Sequence, residues 1–148
     1  MAEDTWQQII IKYENATKQL EALVNKLTDR ELSHPMAAGW TVSSVLAHLA
    51  FWDIRAATLI NKWKQSGVEY SSLDTDVINE VTSVLFNGLP PRVAANITVE
   101  NARILDRLIG DLDPELIEKI KTDGRNVRLE RFTHREEHMD EIEKLVKD

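Results

Sequence analysis

Trp40-Thr-Val-Ser-Ser-Val-Leu-Ala-His-Leu-Ala-Phe-Trp-Asp53 opens a run of residues that stays helical in character to about Ser66. Within it Val45, His48, Trp52, Ala56, Leu59 and Trp63 recur every three or four residues, and Val42, Leu46, Leu49 and Ala50 widen the stripe. That spacing puts side chains on one face of an α-helix, whereas a half-buried strand alternates every second residue. Thr41 suits the N-cap, and Gly67 suits the stop.

The same period governs the segments on either side. Trp6, Ile9, Ile10, Tyr13, Ala16, Thr17, Leu20, Leu23, Val24 and Leu27 trace a first long stripe, with Thr5 and Gln8 at capping-box spacing before it. Thr28-Asp-Arg-Glu31 repeats that capping signature and predicts a short turn. It ends at His34-Pro35, because a residue before proline avoids the α region; Gly39 adds a break. After a polar connection from Val68 to Thr75, Asp76 to Leu85 reads as a shorter helix, closed by Asn87-Gly88-Leu-Pro-Pro91. Pro91 then opens a third long segment whose stripe is Val93, Ile97, Ile104, Leu105, Leu108 and Ile109. Asp113-Pro114 starts another short helix, Glu115 to Ile120, and Thr122-Asp-Gly124 is a turn. The last long segment is expected from about Asn126 to Lys147, with Val127, His134, His138, Ile142 and Leu145 on its stripe and Leu129, Phe132, Met139 and Val146 beside it. Four long helices and several short ones predict an all-α, four-helix bundle, and a chain of 148 residues fits a single domain over 1–148.

Composition removes several function classes. The net charge is −7, and the basic residues are interleaved with acids, as in Lys119-Ile-Lys-Thr-Asp-Gly-Arg-Asn-Val-Arg128. Nucleic-acid binding needs clustered Lys and Arg, so no nucleic-acid partner is expected. No apolar run approaches the length of a membrane span, and no membrane partner is expected. Met-Ala-Glu-Asp-Thr-Trp has neither a basic n-region nor an apolar h-region, so a secretory signal is not expected and the expected address is cytoplasmic. There is no cysteine, hence no disulfide and no protein thiolate for ligation or nucleophilic attack.

The chemistry in the sequence is carried by histidine. His134 and His138 are four apart on one helical face, and His48 lies on the apolar face of another long helix. Three imidazoles with a position left open form the coordination of a catalytic metal. A lone histidine on an apolar face is also often a hydrogen-bonded core residue. Burying a pair without partners is costly, however, and a shared metal removes that cost. His34, in a loop before proline, is not expected to be a ligand.

Other residues stand near these three in the pattern. Asp53 follows His48 by five and reads as an acceptor for an imidazole N–H, as a general base, or as a solvated acid at the bundle edge. Glu137 and Glu141 flank the histidine pair; Glu141, three after His138, shares its face and is the better candidate to support a ligand. Trp40, Trp52 and Trp63 read as pocket walls or as core packing, with Trp52 one turn from His48. Arg131, one turn before His134, and Arg135 are candidates to hold a carboxylate.

Trp40-Thr41 at the start of the second helix, His48 eight residues on, Asp53 five beyond and the late Thr133-His134-Arg-Glu-Glu-His138-Met-Asp-Glu-Ile142 together resemble the DinB superfamily, also called YfiT-like. The resemblance covers essentially the whole chain and implies a four-helix bundle holding one divalent metal, zinc or nickel, on His48, His134 and His138. It implies a small-molecule substrate, a homodimer, and thiol-dependent transferase or isomerase chemistry with mycothiol, bacillithiol or a glutathione-like cofactor, in detoxification or a stress response. Hydrolysis by a metal-activated water is the other chemistry such a centre supports. The competing readings are a non-catalytic metal- or ligand-binding bundle and a bundle whose exposed stripe binds a partner.

Overall fold

The computed structural model describes residues 4–124 and 127–147. Its helices are α1 (Trp6–Lys26), α2 (Asp29–Leu32), α3 (Val42–Ser66), α4 (Thr75–Asn87), α5 (Pro91–Gly110), α6 (Pro114–Asp123) and α7 (Phe132–Val146), with a 3-10 turn at Ala37–Gly39. No strand occurs among the described residues; Pro35 and Thr41 form an isolated bridge that closes the loop before α3.

Helix starts follow local chemistry. Thr5, Thr28 and Thr41 each accept from the backbone N–H three residues on, and Gln8, Glu31 and Ser44 return a side-chain bond to the cap. Each box satisfies two of the amide groups that a helix start leaves unpaired. Asp113 caps α6 ahead of Pro114, and Gly67 ends α3 with φ at +87°, a conformation that L side chains rarely adopt.

α1, α3, α5 and α7 form the bundle. α1 packs on α5 and α7, and α3 packs on the same two helices. Side-chain pairs give the directions. Thr17 meets Asp106, Glu21 pairs with Arg103, and Arg92 donates to the Val24 and Leu27 carbonyls, so α1 and α5 are antiparallel. His48 meets His134 and Asp53 meets Arg135 and Arg131, so α3 and α7 are antiparallel. Tyr13 packs on Phe132 and Thr17 bonds Arg135, so α1 and α7 are parallel. It follows that α3 and α5 are parallel, and the bundle runs up, down, down, up. A parallel successor must be reached by a connection that returns along the bundle, which accounts for the long span carrying α4. The core includes Leu20, Leu46, Ile60, Leu105 and Ile142, all fully buried. Truncating one such Leu or Ile to Ala typically costs about 2–5 kcal/mol.

α7 departs from the sequence reading in two ways. It begins at Phe132, whereas a start near Asn126 was expected, a position outside the described residues. Val127 and Leu129 are buried from irregular chain, which the Tyr13 hydroxyl pins by donating to the Leu129 carbonyl and accepting from the Arg131 N–H. The inward face centres on Phe132, Arg135, Met139 and Ile142, and the two histidines stand on its flank, half-buried. An arginine at the middle of that face is what hid the correct register.

Candidate metal centre

Two helices supply the three histidines. The capping box at Thr41 fixes the start of α3 and so the rotation at which His48 faces α7. Antiparallel packing lets the i, i+4 pair of α7 close on it. His48 Nε2 and His138 Nε2 each lie 3.1 Å from His134 Nε2. One ring nitrogen from each residue falls within 4.8 Å of the others, a grouping able to hold a metal ion. Zinc–imidazole bonds of about 2.0–2.1 Å in a tetrahedral array imply nitrogen separations of about 3.3–3.4 Å, and the two separations from His134 fall within a few tenths of an ångström of that. His34 lies elsewhere, exposed, with its Nδ1 against the Pro35 carbonyl.

Electrostatics favour the ligand form. Burial, aided by His138 and Arg131, holds His48 down at about 4. Burial, then Arg131 and the other two histidines, holds His134 at about 3. Both imidazoles are neutral at neutral pH, as ligation requires. Glu141 Oε2 sits 3.3 Å from His138 Nδ1; a carboxylate only accepts, so the proton belongs on Nδ1 and the Nε2 lone pair faces the triad. His134 differs. Its Nδ1 accepts from Arg131 Nη2 at 2.8 Å, because a guanidinium only donates. Ligation through His134 Nε2 requires that nitrogen to be free of its proton, so Arg131 is the contact a bound metal would change. His48 Nδ1 is buried with no hydrogen-bond partner.

Two cavities flank the triad. The larger, about 460 Å³, includes His48, His134, Trp52, Asn79, Arg55, Arg128 and Arg131 in its wall. The smaller, about 350 Å³, lies against Met36, Trp40, Val45, His138 and Glu141 and shares His48 and Asn79 with the first. Trp40 and Trp52 present ring edges to His48, with centroids at 5.4 and 6.5 Å. The Trp52 indole donates to Asn79 Oδ1 at 3.2 Å, which fixes its plane as a wall. Trp63 is not at the site; it is 5% exposed in the core at the other end of α3.

The structure corrects two readings of charged residues. Asp53 is neither at the bundle edge nor in contact with an imidazole. It is 1% exposed and bonds Arg135 Nε at 3.0 Å, with Arg131 Nε at 3.6 Å. Burial pushes its carboxyl up, against the pull of Arg135 and Arg131. Its link to the triad runs through Arg131, 3.6 Å from Asp53 and 2.8 Å from His134 Nδ1. Arg135 is fully buried and holds Asp53, Asp106, Thr17 and the Ala102 carbonyl, joining all four bundle helices. No ligand carboxylate can reach it.

Sequence reasoning missed Arg55, Asn79 and Arg128. Arg55 is seven after His48, two turns along the same face, and that spacing could have found it. Asn79 and Arg128 come from α4 and the segment before α7, and no local pattern announces them.

An all-α bundle that brings three imidazoles from two antiparallel helices to one point, beside open cavities, is a DinB/YfiT-like fold with a candidate metal site. Comparison at the sequence level narrows the class: residues 13–115 match the mycothiol maleylpyruvate isomerase N-terminal domain family, and the chain belongs to it. The matched span contains His48, Trp52 and Asp53 and stops before His134 and His138. No curated protein and no solved structure matches the chain.

Proposed function

We propose that this protein is a metal-dependent enzyme in which His48, His134 and His138 hold one divalent ion, zinc or nickel, and a low-molecular-weight thiol serves a transfer or isomerisation on a small molecule. The convergence of three imidazoles, with the Nε2 atoms of His48 and His138 each 3.1 Å from that of His134, beside two open cavities carries this reading. Family membership supports a mycothiol-related chemistry. The chain has no cysteine, so the thiol must come from a cofactor.

Such an ion supplies positive charge that lowers the pKa of a bound thiol or water. The protein's own groups do the rest. Glu141 holds the His138 ring with its proton away from the site. Asp53 and Arg135 fix the start of α7, and with it Arg131. Trp52 and Arg131 bind substrate, the first as an apolar wall and the second as a donor to a carboxylate. Hydrolysis needs the same centre but no thiol. A role in detoxification or a stress response and a cytoplasmic address complete the proposal; among the described residues no helix is long and apolar enough to cross a membrane.

A cobalt-substituted sample titrated with small thiols tests it, because sulfur ligation changes the visible spectrum of cobalt. The expected result is a saturable change that is absent in His134→Ala. A cobalt-loaded protein whose spectrum ignores every thiol would leave the second reading, a non-catalytic metal- or ligand-binding dimeric bundle. The exposed Val77, Val81, Val84 and Leu85 along α4 favour that reading's dimer. Light scattering on wild type and Val81→Lys measures it directly.

A further inference from the structure

Asp53 Oδ1 and Arg131 Nε are both buried, and neither has a hydrogen-bond partner. They face each other as an ion pair at 3.6 Å, too far for a hydrogen bond. Two complementary groups left at that spacing are costly, because each has given up water without a replacement. The rest of both side chains is engaged. Arg135 Nε donates to Asp53 Oδ2 at 3.0 Å, and Arg131 Nη2 is drawn the other way, donating to His134 Nδ1 at 2.8 Å. The Arg131 backbone N–H is fixed on the Tyr13 hydroxyl, so the guanidinium can shift without moving the start of α7. A charge-assisted N–H···O bond is about 2.7–2.9 Å long, and closing the gap takes about 1 Å or less.

The arrangement at His134 supplies the reason to move. A neutral imidazole carries one proton on its two nitrogens. While Arg131 donates to Nδ1, that proton sits on Nε2 and points among His48 Nε2 and His138 Nε2, each 3.1 Å away. It stands where an ion would. Ligation through Nε2 places the proton on Nδ1 of the same ring, and the charge of His134 does not change. Nδ1–H then faces an N–H of Arg131, donor against donor. We infer that Arg131 is a two-position switch, holding His134 Nδ1 in the metal-free protein and closing on Asp53 Oδ1 when the three histidines take up an ion. The second position satisfies both buried groups at once. It also releases Nη2 into the larger cavity, whose wall Arg131 and His134 share. Asp53 acts through Arg131 as a positioning residue. The inference rests on the proposed function and deepens it with an order of assembly: the donor meant for substrate is free only after the centre is loaded.

Nitrogen magnetic resonance of isotope-labelled protein, metal-free and zinc-loaded, tests this. Metal-free protein is expected to show His134 Nδ1 as an unprotonated acceptor. Zinc should give Nδ1 a proton, move the Arg131 Nε–H signal downfield and slow its exchange with water; Arg131→Lys identifies that signal. Asp53→Asn weakens the acceptor and should loosen zinc about five- to tenfold, the difference between a hydrogen bond to a charged group and one to a neutral group. In an Arg131→Met background the same substitution should change zinc affinity by less than about twofold, because the effect passes through Arg131. An Asp53→Asn effect that survives the loss of Arg131 would overturn the inference. The resonance measurement on wild type keeps the test valid should Asp53→Asn fold poorly. Zinc bound while the Arg131 signal stays put and His134 Nδ1 stays unprotonated removes this inference alone. Failure to take up zinc removes the proposed function, and this inference with it.

Discussion

Replacing Arg135 by methionine is expected to cost more stability than any surface change in this chain. The side chain is fully buried and compensates Asp53, 1% exposed, and Asp106, largely buried. Methionine keeps much of the volume but leaves two buried carboxylates without their main counter-charge. Breaking a buried pair by removing one partner costs about 3–5 kcal/mol. Domains of this size are stable by about 5–15 kcal/mol, so the loss is about a fifth or more of the total. Urea denaturation followed by circular dichroism at pH 7 measures it. The pH dependence gives a second signature. Burial raises both carboxyls, opposed by Arg135, so its loss raises them further. A carboxyl whose folded pKa lies above its unfolded value binds a proton more tightly when folded. The deficit of Arg135→Met therefore shrinks as pH falls from about 7 towards about 5. Adding Asp53→Asn should recover part of the loss at pH 7. A deficit under about 1 kcal/mol, or one unchanged by pH, would refute the account of Arg135 as the hub of the bundle.

Two further outcomes are expected. Gly124→Ala places a Cβ 2.8 Å from the Trp63 ring, which is 5% exposed and packed in place, so overpacking should cost about 1–3 kcal/mol in the same denaturation assay. Burial depresses His48 to about 4 and His134 to about 3. Their unfolded forms bind protons first, so metal-free protein should lose stability as pH falls from about 6.5 towards about 4, and His48→Gln should flatten that profile.

Much of the bundle is legible in the sequence because its helix starts are local events. A threonine with Gln or Glu three residues on announces α1 and α2, Thr41 as an N-cap announces α3, and Asp113-Pro114 announces α6. The meeting of the histidines follows from two helical stripes and their packing, which periodicity reports. What stays hidden depends on partners distant in the chain. Asp53 reads as a solvated acid because Arg135 lies 82 residues away. Arg135 reads as a candidate to hold a ligand carboxylate because the acids that neutralise it, and the Thr17 hydroxyl it donates to, come from α3, α5 and α1. Val127 and Leu129 look like the first turn of a helix, since their burial is apolar in the same way. A tyrosine hydroxyl more than a hundred positions earlier holds them as loop. The arginine cavity is assembled from α3, α4 and the approach to α7, and no one of these segments carries its pattern.

Quantifying bound metal tests the central claim most directly. Untagged protein incubated with zinc or nickel, freed of excess and analysed by elemental mass spectrometry, should carry about one divalent ion per chain. His48→Ala, His134→Ala and His138→Ala should each carry close to none while keeping a helical spectrum. Wild type without stoichiometric metal, or substituted chains that retain it, would contradict a metal centre built on these three histidines.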